Sequence, residues 1–177
     1  MVKWFRKAAE QGDAIAQSEL GYCYQNGVGV QQDYAEAVRW YCKAAEQGSA
    51  LAQNGLGNCC LSGWGVPQDH AEAARLFYLA AEQGLVLAQY NLARCYDEGI
   101  GVPQNPAEAV RRFHQAAEQG LAQAQLDLGW CYQNGRGVPR NLEEAVRWYR
   151  KAAQQGNSNA QENLNALHPW WRNVPDE

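Results

Sequence analysis

AAEQG stands at residues 8–12, 44–48, 80–84 and 116–120, and AAQQG at 152–156, each copy starting 36 residues after the one before. A fixed period of about 20–50 residues marks a repeat architecture, in which a unit too small to hide its own apolar side stacks on copies of itself. Working outward from that string, four full units run 13–48, 49–84, 85–120 and 121–156. Half-units occupy 1–12 and 157–168, and a tail follows at 169–177.

Each unit reads as two helices, A then B. In the first unit Ala16, Leu20, Cys23, Tyr24 and Gly27 fall on one helical face, and Ala37, Val38, Tyr41, Ala44 and Ala45 make the matching stripe of B. About ten helices and no strands are expected, because alternating β-branched runs are missing. Gly27, Gly63, Gly99 and Gly135 end the A helices; Gly12, Gly48, Gly84, Gly120 and Gly156 end the B helices. Asp33, Asp69, Asn105 and Asn141 are predicted N-caps. Glu36, Glu72, Glu108 and Glu144, three residues on, complete the pattern of a capping box. Gly21, Gly57 and Gly129, with Ala93, sit mid-helix, where glycine costs about 1 kcal/mol; close approach of a neighbouring helix is the expected compensation.

The chain has 177 residues, 46% of them hydrophobic, and a net charge of −4. That is a globular composition, and its acidity argues against general nucleic-acid binding. No run reaches the ~18 apolar residues of a membrane span, and Met1 leads directly into repeat sequence rather than a secretory signal. Cys23, Cys59, Cys95 and Cys131 share one repeat position, and neighbouring members of that column lie too far apart for a disulfide. They are read as small buried hydrophobes. Cys42 stands at a variable, surface-type B position and is the thiol expected to react first. Cys60 replaces the tyrosine of Tyr24, Tyr96 and Tyr132; Trp64 is expected to fold over the space left. His70, His114 and His168 form no ligand spacing, the G-x-G-V loops lack a phosphate-loop ending, and no catalytic triad or zinc motif occurs. No enzyme activity, cofactor or metal is therefore implied.

The A pattern, as AQSELGYCYQNGVGV and AQLDLGWCYQNGRGV, and the B pattern, as DYAEAVRWYCKAAEQG and NLEEAVRWYRKAAQQG, resemble the Sel-1-like repeat family, a relative of the tetratricopeptide repeat, over residues 2–167. The resemblance implies an all-α solenoid of antiparallel helix pairs in a right-handed superhelix, A helices inside and B helices outside. It also implies an adaptor or scaffold role in protein complexes. A secreted branch of that family bridges its helices at the positions of Ala16 and Ala45; alanine there removes the disulfides and the extracellular setting from what is implied. Reduced-type cysteines fit the cytoplasm slightly better than the periplasm, with a periplasmic or secreted setting left open should a signal peptide have been removed.

Function then falls to the A-helix positions off the apolar stripe, which change from unit to unit. Ser18, Asn54, Tyr90 and Leu126 form one such column. Tyr22, Gln25, Asn26, Asn58, Tyr90, Arg94, Asp97, Trp130 and Gln133 are the expected contacts for a protein or peptide partner, with Tyr, Trp and Arg as anchors. The alternatives are a regulatory or accessory module of an enzyme or an envelope or signalling complex, and a structural spacer. Trp170 and Trp171, after Pro169, read as a cap on the last helix pair, and the N-terminal half-unit as an open face available for self-association.

Overall fold

The computed structural model describes residues 2–167. The helices are α1 (Val2–Glu10), α2 (Ala14–Asn26), α3 (Tyr34–Glu46), α4 (Ala50–Ser62), α5 (His70–Glu82), α6 (Val86–Glu98), α7 (Pro106–Glu118), α8 (Ala122–Asn134), α9 (Leu142–Gln154) and α10 (Ser158–Ala166). No strand occurs among the described residues. Even-numbered helices are the A helices and odd-numbered ones the B helices. His168, Pro169, Trp170 and Trp171 lie outside the described residues, and with them the expected cap. Two compact units result: α1 to α5 with the start of α6 and residues 100–102, and the rest of α6 with α7 to α10.

The caps explain why every full-length helix is the same length. Gly27 takes φ +69° and its N–H reaches the Cys23 carbonyl, ending α2. The Asp33 carboxylate then accepts from Glu36 N at 3.0 Å, starting α3. The second half of the predicted capping box is absent. The Asp33 N–H donates instead to the Tyr24 carbonyl of α2 at 2.9 Å, and Asp69, Asn105 and Asn141 do the same to residues 60, 96 and 132. The turn folds the cap back onto the A helix, which satisfies that donor. The glutamates are left to pair with arginines one turn on, as Glu36 does with Arg39 at 3.0 Å and Glu72 with Arg75 at 2.7 Å.

Loop glycines carry the stacking of one repeat on the next. Gly65, at φ +72°, lies so close to the first turn of α3 that a Cβ there would collide with the Tyr34 carbonyl. Only glycine meets both demands, a left-handed backbone and bare contact with another backbone. The mid-helix glycines work differently. A Cβ on Gly21 would sit 2.6 Å from Tyr41 Cδ1, and one on Gly57 would sit 2.7 Å from Phe77 Cε1. The close approach expected from the sequence is thus made by an aromatic ring of the same repeat's B helix.

In the first unit Ala9, Ala16, Leu20 and Trp40 form one core, and Ala37, Val38, Tyr41, Ala44, Ala52 and Cys59 the next. Trp4 belongs to the same column as Trp40, yet it is 79% exposed against 4%. In the second unit Leu126, Val146, Tyr149, Ala160 and Leu164 pack together.

A buried glutamine ladder stitches the repeats. Gln17, Gln53, Gln89 and Gln125 are 4–6% exposed. Gln17 Nε2 donates to the Ala9 carbonyl in the last turn of α1, and Gln17 Oε1 accepts from Gln47 at the end of α3 at 2.7 Å. Gln125 repeats both bonds with Ala117 and Gln155. One amide therefore ties its own A helix to the ends of two B helices, where main-chain partners run out. The signal was in view, as the Q of AAEQG and the AQ that opens each A helix, but periodicity of apolar residues does not score it.

One expectation about cysteine changes. All six are free, and the column members Cys23, Cys59, Cys95 and Cys131 are buried as expected. Cys42 is half-buried rather than a surface residue. Burial, with Glu46 nearby, raises its thiol above the ordinary value, so it is not an activated nucleophile. The Trp64 indole stacks on Tyr34, ring centroids 5.3 Å apart and planes at 21°, a ring contact to the preceding repeat's B helix that was not expected.

Candidate functional site on the A helices

The two units present different A-helix surfaces. In the first, Tyr22 is 54% exposed, with Asn26 donating from Nδ2 to the Tyr22 carbonyl one turn on. Ile15 on α2, Leu51 on α4 and Leu87 at the start of α6 occupy one repeat position and are all more than half exposed. This apolar column was not singled out from the sequence, because its members sit one residue off the predicted stripe. Asn58 is half-buried on α4. Gln25 is engaged by the fold: its Oε1 accepts from the Tyr41 hydroxyl at 2.7 Å. Gln133 does the same for Tyr149 at 2.6 Å in the second unit. These two amides satisfy buried phenols, a demand that a helical wheel does not display. Ser18, Asn54 and Leu126 of the expected variable column are buried, so only its half-buried Tyr90 reaches the surface.

In the second unit the structure brings Tyr90, Arg94, Asp97 and Trp130 together around one cleft of about 250 Å³. Asp127 and Phe113 line it as well, and neither was picked from the sequence. Tyr90 packs on Phe113 at 5.8 Å between centroids, and its hydroxyl donates to Asp127 Oδ2 at 2.9 Å. Gln123 Nε2 donates to Asp127 Oδ1 at 3.3 Å. Burial pushes the Asp127 carboxyl above its ordinary value despite both hydrogen bonds and the nearby Arg94. Arg94 is held by Glu98, Nη2 to Oε1 at 2.9 Å. Asp97 pairs with Arg136 of the next loop, whose Nη2 also donates to the Asp97 carbonyl at 2.7 Å. Trp130 stands at the rim, 44% exposed.

The remaining candidates for chemistry stay apart. His70 is exposed at the start of α5. His114 Nδ1 lies 3.5 Å from Glu118, a partner one turn on that the ligand-spacing reading passed over, and its ring meets Trp148 edge-on. Among the described residues no group of three His, Cys, Asp or Glu side chains is placed to hold a metal ion. Burial lifts the Cys59 and Cys131 thiols to about 12 and Cys95 to about 11. Among the described residues no helix is long and apolar enough to cross a membrane.

Comparison with known proteins follows the repeat. The model of the Sel1 repeat matches residues 2–13, 14–49, 50–85, 86–121 and 122–157. A protective antigen of uropathogenic Escherichia coli strains, displaying an SLR fold, is 42% identical with a TM-score of 0.89, over 94% of this chain and 36% of its own. A Sel1 repeat protein from Oxalobacter formigenes is also 42% identical, TM-score 0.83, over 94% of this chain and 48% of its own. An immunity protein from Pseudomonas aeruginosa is 25% identical, TM-score 0.61, over 90% of this chain and 59% of its own. The chain spans between about a third and three fifths of the length of these structures. No curated protein matches it. With all five matched segments covering nearly every described residue and all-helical neighbours of the same repeat, the chain belongs to the Sel1 repeat family.

Proposed function

We propose that the chain is a protein-interaction scaffold that docks a peptide or a partner protein on the variable face of its A helices. Sel1 repeat proteins are generally protein-interaction scaffolds. The observation that carries the reading is one A-helix column: Tyr22, Asn58, Arg94 and Trp130 differ in every repeat, and the tyrosine and tryptophan in it are half exposed. Uniform columns serve stacking; a column that differs while its neighbours stay constant is where recognition is written. Rigid aromatics lose little conformational entropy on docking and lead among interface hot spots. With its thiols raised by burial, the chain supplies recognition rather than a nucleophile.

The test is affinity capture with the intact chain and with the triple variant Tyr22→Ala, Arg94→Ala, Trp130→Ala, each checked for helix content. Loss of one partner with the triple variant supports the scaffold. Identical capture by both chains leaves a structural spacer as the better reading. Light scattering on the same samples reads self-association, for which the exposed Trp4 end is the proposed contact.

A further inference from the structure

The geometry points to the cleft between α6 and α8 as a pocket for one cationic side chain, a lysine or arginine, of a docked polypeptide. The inference rests on the scaffold reading and names the chemistry its second unit selects.

Three observations combine. First, the walls are aromatic: Tyr90 and Phe113 on one side and Trp130 at the rim. Aromatic faces attract a cation within about 6 Å, and more strongly where water is thinned out. Second, the cleft contains a carboxylate with no ion-pair partner among the described residues. Asp127 receives only neutral donors, the Tyr90 hydroxyl and the Gln123 amide. Third, the other charges are already paired with each other. Arg94 is bound to Glu98 and Asp97 to Arg136, so Arg94 acts on Asp127 only from a distance, neither arginine forms an ion pair with it, and Asp97 and Glu98 already hold cations of their own.

The elevated Asp127 carboxyl agrees with this arrangement, since burial disfavours the anion by more than its hydrogen bonds and the nearby Arg94 restore. A side-chain ammonium or guanidinium entering past Trp130 supplies the ion-pair partner and replaces lost hydration with ring faces. An apolar side chain of equal length would fill the volume and leave the carboxylate unpaired. An anionic one would meet Asp127 directly.

The probes are the blocked tripeptides acetyl-Gly-Lys-Gly-amide, acetyl-Gly-Arg-Gly-amide and acetyl-Gly-norleucine-Gly-amide, titrated into the intact chain and followed by NMR. Lysine or arginine peptides should shift the Trp130 indole N–H and bind about tenfold or more tightly than norleucine, the equivalent of about 1.4 kcal/mol. Asp127→Asn, nearly isosteric, should erase that preference, and Trp130→Ala, at an exposed rim, should weaken both cationic peptides. Equal binding of lysine and norleucine, an undiminished preference in Asp127→Asn, or no shift with any peptide would overturn the inference. Those results would not touch the scaffold reading, which fails only if partner capture survives the triple variant.

Discussion

Gly55 lies flat against the ring of Tyr41: a Cβ on Gly55 would come within 2.6 Å of Tyr41 Cζ. A Cβ on Gly21, from the same repeat as Tyr41, would likewise come within 2.6 Å of the ring, at Cδ1. The phenol is therefore held between A helices of two successive repeats. Gly55→Ala should destabilise the chain by about 1–2 kcal/mol, because overpacking outweighs the better helix propensity of alanine. Thermal unfolding checks it; a raised midpoint would mean that Tyr41 moves aside freely.

The glutamine ladder makes a second prediction. Gln125→Leu keeps the volume but breaks the bond from the exposed Gln155 amide and leaves one acceptor site of the Ala117 carbonyl unmet. The expected loss is about 1–3 kcal/mol in urea unfolding. The double variant Gln125→Leu, Gln155→Leu should cost less than the sum of its parts, since the bond between the two amides can be lost only once.

Arg112 replaces the tryptophan of Trp40 and Trp148 in a buried column, 4% exposed, with Nε 2.9 Å from Glu108 Oε1. Hydrogen bonds from Arg111 and then Arg112 hold the Glu108 carboxyl below its ordinary value. Between the folded and unfolded values the unfolded chain binds more protons, so this part of the stability is full above about pH 5 and lost as pH falls through the folded value. Glu108→Gln should lower stability by about 1–2 kcal/mol at pH 7, and its deficit relative to the parent should shrink in acid. A deficit independent of pH would show that the pair contributes by packing alone.

Asp127 has the opposite sign. Its folded carboxyl titrates higher than the unfolded one, so the native state binds the extra proton and stability rises as pH falls through the folded value. Asp127→Asn should therefore melt above the parent at pH 7, with the advantage fading in acid. A pocket kept at a cost in stability is what a binding site looks like.

The six thiols should label slowly in the folded chain at pH 7.5, with half-buried Cys42 first and Cys59, Cys95 and Cys131 only on unfolding. Rapid labelling of Cys42 in the folded state would reopen a reactive role for it. Mass spectrometry of alkylated peptides reads the order.

Much of the fold was legible because each repeat states the same local chemistry several times. Asp33 and its equivalents as N-caps, Gly27 and its equivalents as stops, and the Cys23 column as core depend on neighbours within one or two turns, and four copies average out the ambiguity of any one. Where partners come from another helix, the reading stopped. Glu36 was assigned to a box that the turn made unnecessary; that Gln25 and Gln133 also hold phenols, and that Trp64 stacks on Tyr34, was not visible.

The chain's order of residues by itself determined the repeat, the helix ends and the columns that had to be buried, since these follow from local conformational preference and apolar periodicity. Packing alone decided which side chain meets which: that Asp127 and Phe113 join Tyr90, Arg94 and Trp130 around one cleft, and that the glutamines cross between helices. Contacts between residues thirty or more apart depend on side-chain reach and on the competition for each donor, and those are settled only when the helices are in place.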